Sequence, residues 1–185
     1  IDKQVQRDPI TAYPVIHSSG LKGALREHFR FIASETNSKE LADQIQVLFG
    51  SDQKDDEQGE RKAKTGELFF GQAYLLSLPV RSNVKPYLHA TTLDILSGLL
   101  DKMDLYDTAQ KGEFQSLVEK LPELNLKKPT VFHSYLEGSI LEEENHEVEV
   151  QTLDKEVLAK LEAVIGGPFA IVDNKTFKDF AESLP

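Results

Sequence analysis

Two spacings of apolar residues along the chain predict where its helices and strands lie. Apolar residues that recur three and four positions apart predict amphipathic helices in 21–32, 41–49, 93–103, 114–121, 153–165 and 177–180. Short apolar runs predict strands at 13–16, 73–80, 130–133, 138–141, 146–150 and 169–172. Helices and strands mixed in this order predict an α+β fold.

Residues 12–30 form the segment around which the chain is predicted to be organised. A short apolar strand ends there in a tight polar turn, and an amphipathic helix follows at once. Ser18, Ser19 and Gly20 are residue types that cap helices and leave backbone N–H groups available, and a helix terminus of this kind attracts anions. The apolar stripe of this helix is expected to pack on a core.

The other side of this helix is basic, because Lys22, Arg26 and Arg30 follow one another at intervals of four residues. Like charges at this spacing repel by roughly a few tenths of a kcal/mol unless an anion neutralises them, as a phosphate backbone would. Arg81 and Ser82 follow the predicted strand 73–80 and are a second candidate for a phosphate contact. A solvated loop arginine is an equal alternative at that position.

Two polar segments interrupt the apolar pattern. Residues 51–66 contain one alanine and nothing more apolar, so we predict a flexible polar loop within a single domain that spans residues 1–185. Residues 142–145 are three glutamates and an asparagine between two predicted strands, and Glu147 is a fourth carboxylate close by. A solvated acidic turn is favoured there over a metal site, because adjacent glutamates on a turn do not easily converge on one ion.

Composition and charge exclude several classes of site. The chain has 185 residues, five histidines and no cysteine, which excludes disulfides and thiolate chemistry and disfavours structural zinc. Its formal net charge of -10 argues against indiscriminate nucleic-acid binding, although residues 1–31 hold five basic against three acidic residues. Without a membrane-length apolar run or a signal peptide, we predict a cytoplasmic protein with no membrane contact. A start without methionine and an end directly after a predicted helix also predict a fragment of a longer protein.

Four segments of the chain carry a resemblance to a known family. They are residues 1–8, 13–26, 66–73 and 78–82, and their order and spacing together are specific. The chain resembles the RAMP superfamily of CRISPR proteins and, more narrowly, the backbone subunit of type III-B effector complexes, the fourth Cmr protein. Gly20, where the family usually has a second serine, and Gln72, where it has an aspartate, mark a divergent member.

The resemblance implies a fold, partners and an activity. The fold is a ferredoxin-like palm, similar to an RNA-recognition motif, with helical and loop insertions. The implied subunit associates with itself and with other Cmr subunits along a CRISPR guide RNA, and it cuts the bound target RNA at intervals with a divalent metal ion of unspecified identity. The family uses an aspartate in the segment that matches residues 1–3, which makes Asp2 the catalytic candidate. One carboxylate can act as a base or hold a cation, but it is not a complete nuclease site.

The RNA-binding assignment combines the resemblance with the basic helix. Contacts to the RNA backbone are expected to be independent of sequence, with base pairing supplying specificity. The candidate residues for these contacts are Arg7, Ser18, Ser19, Lys22, Arg26, Arg81 and Ser82. Two alternatives stay open, namely a structural filament subunit in which Asp2 is inert and an α+β domain that binds only protein.

Overall fold

The computed structural model describes residues 5–50, 64–141 and 146–182. The chain divides into two compact units, of which the first comprises Ile1–Asp8 with Pro14–Tyr74 and the second Pro9–Tyr13 with Leu75–Pro185. A single RAMP domain over 1–185 remains a prediction. Most of the predicted polar loop 51–66 and all of the acidic turn 142–145 lie outside the described residues.

The first unit contains two helices in contact and a two-stranded ribbon. In chain order its elements are β1 (Val15–Ile16), α1 (Ser18–Glu35), α2 (Lys39–Phe49) and β2 (Ala73–Tyr74). β1 and β2 pair in antiparallel fashion. Ser38 caps α2, since its hydroxyl accepts a hydrogen bond from the Leu41 N–H at 3.2 Å. Gly50 ends α2 at a φ of 88°, a conformation that favours glycine.

A small apolar core lies between α1 and α2. Ala33, Ile45 and Phe49 are buried, and the ring of Phe70 stacks on Phe49 with 5.5 Å between centroids. The amphipathic pattern of α1 is confirmed, but its apolar face is incompletely covered in this chain, where Phe29 remains 38% exposed. The stripe therefore packs on a core as expected, through Ala33 and Leu25, while Phe29 at its edge stays partly exposed.

The apolar run of residues 68–70 before β2 would be expected in the core from its hydrophobicity. Phe69 is instead 95% exposed. The backbone N–H groups of Glu67 and Leu68 donate to carbonyls at the C-terminal end of α2, at 3.1 and 3.0 Å. This stretch therefore runs along a helix end instead of within a sheet, and Phe69 projects into solvent.

The second unit is built around a mixed sheet. Its strands are β3 (Leu78–Val80), β4 (Leu88–Thr91), β5 (Thr130–Val131), β6 (Ile140–Leu141), β7 (His146–Glu147), β8 (Glu149–Val150) and β9 (Phe169–Ile171). Its helices are α3 (Leu93–Leu105), α4 (Lys111–Glu119), α5 (Lys155–Ile165) and α6 (Asn174–Glu182). Five strands form one sheet in the order β3-β4-β9-β5-β8, with antiparallel β3–β4 and β9–β5 and parallel β4–β9 and β5–β8 pairs. The predicted hairpin within 138–150 is confirmed by the antiparallel pair of β6 and β7.

Alternate residues of β9 face two different apolar clusters. Ala170 belongs to a cluster to which α6 contributes Phe177 and Phe180, both buried as predicted. Phe169 and Ile171 belong to a second cluster. Helices α3, α4 and α5 complete the second cluster with side chains that include Leu96, Leu117 and Leu161. This mixed sheet with helices packed against it confirms the predicted α+β class.

Helix starts in the second unit follow local capping signals. Thr92 caps α3 by accepting a hydrogen bond from the Ile95 N–H at 3.1 Å. Asp173 accepts hydrogen bonds from the Lys175 and Thr176 N–H groups at 2.9 and 3.1 Å. Burial raises the pKa of Asp173, but the hydrogen bond from the Thr176 hydroxyl at 2.6 Å, together with the backbone donors, outweighs it and holds the pKa below its ordinary value. None of the helices in the described ranges is long and apolar enough to cross a membrane.

Candidate nucleic-acid interface

The first turn of α1 presents backbone N–H groups, but its serines are not caps. α1 begins at Ser18, so Ser18, Ser19 and Gly20 lie inside the first turn and His17, with an extended backbone, is the N-cap. Among the described residues no side chain caps this end, and the first turn contains no acidic residue. N–H groups of a first turn lack acceptors within the helix and, with the helix dipole, favour an anion. The cap assignment is thus corrected, and the anion preference now comes from the backbone.

Residues upstream of α1 hold this turn in place within the first unit. The Val15 N–H donates to the Gln6 carbonyl at 2.9 Å, and the His17 N–H donates to Gln6 Oε1 at 3.3 Å. Arg7 forms an isolated antiparallel bridge with Pro14 and is half-buried. Arg7 and the start of α1 therefore belong to one local structure. Asp2 lies outside the described residues.

The basic stripe of α1 is divided by contacts within the first unit. Arg26 Nη2 donates to the Gly50 carbonyl oxygen at 2.6 Å and so links α1 to the end of α2. Arg30 Nη1 lies 3.1 Å from Glu27 Oε1. Lys22 is half-buried one turn before Arg26. Protein groups therefore already offset part of the charge repulsion that the sequence analysis assigned to a phosphate, and phosphate binding by Arg26 stays a prediction.

Arg81 and Ser82 follow β3 in the second unit and have different surroundings. Arg81 is exposed. Ser82 is buried, its Oγ accepts a hydrogen bond from the Val84 N–H at 3.3 Å, and its backbone forms an isolated bridge with Leu141. The Ser82 hydroxyl thus shapes the loop, whereas Arg81 is the member of the pair that solvent reaches.

Two residues near Arg81 in sequence were not identified by the sequence analysis. Lys85 Nζ lies 5.2 Å from the centroid of the Tyr135 ring, and Tyr87 is 52% exposed. A signal for them exists in the sequence, since residues 68–93 contain no aspartate or glutamate although the whole chain is strongly acidic. Cations in such a stretch are not compensated by neighbouring carboxylates, which leaves them suited to an anionic ligand.

The residue expected near the divalent ion that the resemblance implies lies outside the described part of the chain. Among the described residues, no three histidine, aspartate or glutamate side chains lie close enough together to hold an ion. Asp2, the expected neighbour of that ion, is not among them. The divalent ion therefore stays a prediction.

Comparison with known proteins assigns the fold to a family. A family model described as the RAMP superfamily matches residues 1–181. The chain belongs to the RAMP superfamily. This RAMP chain is similar to the CRISPR system Cmr endoribonuclease Cmr4 of Pyrococcus furiosus, with 26% identity over 194 residues that cover 98% of this chain and 60% of that protein.

Solved structures share the fold of this RAMP chain. Oligomeric Cmr4 from Pyrococcus furiosus matches with a TM-score of 0.69 and 24% identity, over 99% of this chain and 66% of that one. A cryo-EM structure of the Type III-B Cmr-beta bound to cognate target RNA matches with a TM-score of 0.69 and 23% identity, over 96% of this chain and 60% of that one. These likenesses bear out the predicted palm with insertions. The chain spans less than two thirds of the length of each of these relatives.

Proposed function

We propose that this chain is the RNA-binding palm of a backbone subunit in a CRISPR type III-B effector complex. The complete subunit would hold a guide RNA, associate with itself and with other Cmr subunits, and cleave the bound target RNA at intervals. One observation carries the proposal: α1 of this RAMP chain begins with a first turn that no side chain among the described residues caps, that contains no acidic residue and that Lys22 follows. The similarity to an endoribonuclease and to a structure bound to target RNA supports the same function.

Backbone contacts define the binding role in this proposal. The first-turn N–H groups of α1, from Ser18 to Gly20, receive a phosphate, and Lys22 supplies a positive charge one turn further along. Arg81 contacts a phosphate from the loop after β3. Contacts of this kind hold any RNA backbone, so base pairing with the guide selects the target.

The cleavage step in this proposal is assigned to Asp2. Cutting RNA requires that a 2′-hydroxyl or a water molecule loses a proton while it is in line with the phosphorus, and a carboxylate can accept that proton. The resemblance also implies a divalent metal ion, and holding a cation is the second role open to a carboxylate. The assignment to Asp2 rests on the resemblance and on the chemistry of carboxylates.

An Asp2→Ala variant of the full-length protein, assembled with guide RNA and the other subunits, tests the catalytic assignment. We expect target cleavage in the presence of Mg²⁺ to be lost while guide binding is unchanged, because the carboxylate acts in the chemical step. Asp43→Ala removes an exposed carboxylate of α2 and is the matched control, with cleavage as in the wild type. Cleavage by the Asp2 variant at the wild-type rate would instead identify a structural, non-catalytic subunit.

A further inference from the structure

The longest carboxylate-free part of this acidic chain surrounds the β3–β4 hairpin. Residues 68–93 include Arg81 and Lys85 but no aspartate or glutamate, in a chain with a formal net charge of -10. Within the described residues neither cation forms an ion pair. Two cations without carboxylate partners complement a ligand that carries negative charge.

The register of the hairpin places an aromatic ring and one of these cations at the same end. Val80 pairs with Leu88, and both are buried. Arg81 follows β3 directly and Tyr87 directly precedes β4, so each lies one residue beyond this last pair. Successive residues of an extended chain point to opposite faces, which directs both side chains away from the buried face, and both are exposed. Arg81 and Tyr87 therefore flank the solvent-exposed end of the hairpin.

The Tyr87 ring has a fixed support and a half-exposed surface. It meets the His89 ring edge to face, with 5.4 Å between centroids and an interplanar angle of 80°. Ser77 Oγ donates its one proton to the Ile165 carbonyl at 2.9 Å. In its 3.1 Å contact with His89 Nδ1, Ser77 Oγ is therefore the acceptor and the His89 N–H is the donor. The His89 ring is thereby held in place, and Tyr87 rests on it with 52% of its surface exposed.

The second cation is positioned by another aromatic pair. Lys85 Nζ lies 5.2 Å from the centroid of the Tyr135 ring, which is the range of a cation–π contact. The Tyr135 ring also stacks on His133, with 4.9 Å between centroids. Tyr135 has a stacked ring and a cation near its π-face, and so serves to hold Lys85. Tyr87 meets His89 edge to face, an arrangement that leaves at least one of its ring faces for an external base.

We propose that Arg81, Lys85 and Tyr87 form a binding site for one unpaired nucleotide of single-stranded RNA, with the base stacked on Tyr87 and phosphates bound by the two cations. The site rests on the proposed RNA-binding function and extends it from backbone contact to base stacking. A π-face accepts any base, so the site selects an unstacked base without reading its identity. A purely anionic protein segment would satisfy the cations but would leave the Tyr87 ring without a stacking partner.

A Tyr87→Ala variant of the full-length protein tests the stacking contact. We expect its affinity for a fluorescein-labelled oligouridylate, measured by fluorescence anisotropy, to fall by about 5- to 150-fold, the range for loss of one base–aromatic stack. Tyr87→Phe keeps the ring and should bind as the wild type does. Tyr106→Ala removes another exposed tyrosine of the second unit, 66% exposed at the end of α3, and is the matched control with unchanged affinity.

An abasic oligoribonucleotide separates base stacking from general effects on binding. Wild type and Tyr87→Ala should bind this probe equally, because it has phosphates and no bases. Equal binding of oligouridylate by the two proteins would overturn the stacking site while leaving RNA binding itself intact. Failure of the wild type to bind either probe would instead count against the proposed function. Equal losses of the Tyr87→Ala variant on both probes would also overturn the site, since the effect would not depend on a base.

Discussion

Lys22 and Arg26 lie one turn apart on α1, and their different surroundings give them different expected roles. Arg26 donates a 2.6 Å hydrogen bond to the Gly50 carbonyl and connects the two helices of the first unit. Lys22 has the same charge and is half-buried next to the uncapped first turn. From their spacing in the sequence, both residues were predicted to bind phosphate. In the fold, Arg26 makes a structural contact within the protein.

Alanine substitution at each position should separate stability from RNA binding. We expect Arg26→Ala to lower the free energy of unfolding by about 1–2 kcal/mol, because it leaves a carbonyl without its charged donor. Lys22→Ala should change that free energy by less than about 0.5 kcal/mol while it weakens RNA binding. Urea unfolding and fluorescence anisotropy on the full-length variants provide the two measurements.

Two results would contradict this division of roles. Equal unfolding free energies for Arg26→Ala and the wild type would show that the contact with Gly50 adds no stability. Unchanged RNA affinity in the Lys22→Ala and Lys22→Glu variants would remove the basic stripe from the interface and would favour a domain that binds only protein.

At the scale of elements, the end of α2 depends on the close approach of two backbone segments. A Cβ atom at Gly66 would lie 2.4 Å from the Phe49 carbonyl carbon and 2.5 Å from the Leu48 carbonyl oxygen. Both are backbone atoms, which cannot move aside as the end of a side chain can. The following residues donate hydrogen bonds to carbonyls at the same helix end, so a side chain at Gly66 would separate paired groups.

Gly66→Ala should therefore destabilise the first unit, with a loss of about 1–3 kcal/mol in the free energy of unfolding. Gly23→Ala is the matched control, because Gly23 lies inside α1 and a Cβ there meets no atom within 4 Å. That change should stabilise by about 0.5–1 kcal/mol through better helix propensity. Urea unfolding measures the free energy of unfolding of both variants. Equal values for Gly66→Ala and Gly23→Ala would contradict this account.

Elements whose ends are set by neighbouring residues could be predicted from the sequence. Ser38 and Thr92 are residue types that cap helices, and each caps the helix that follows it, while Gly50, a residue type that ends helices, ends α2. The spacing of Phe177 and Phe180 predicted an amphipathic helix, and in α6 both side chains are buried. Their spacing puts both rings on the same face of the helix, which packs against the core.

Features that depend on distant parts of the chain could not be predicted in this way. The hydrogen bond between Arg26 and Gly50 joins residues 24 positions apart, and no local pattern indicates it. Phe69 is exposed because its neighbours pair with a helix end, which hydrophobicity alone cannot reveal. Ser18 and Ser19 are residue types that cap helices, but α1 already begins at Ser18, so His17 is the N-cap instead.

For the candidate site, sequence spacing located the basic helix. The hydrogen-bond and ring partners of the site residues could be identified only from the fold.

At the scale of the whole molecule, the arrangement of charge matters more than its sum. The net charge of -10 would repel RNA if it were spread evenly, but the proposed contacts use an uncapped helix start and a carboxylate-free hairpin. Each proposed region can thus attract phosphate locally while the rest of the surface opposes non-specific binding. Affinity should therefore depend on a few identified cations and fall steeply with salt.

The salt dependence of RNA binding gives the number of these contacts. For single-stranded RNA, the logarithm of the binding constant falls with the logarithm of salt concentration by about 0.7 per neutralised phosphate. Lys22→Ala and Arg81→Ala should each reduce this slope by about 0.7, and the double variant by about 1.4, because counterion release counts each contact separately. Lys155→Ala, which removes an exposed lysine of α5 outside both regions, should leave the slope unchanged. A wild-type affinity that is indifferent to salt would exclude phosphate contacts as the basis of binding, and an equal slope in the double variant would place those contacts at other residues.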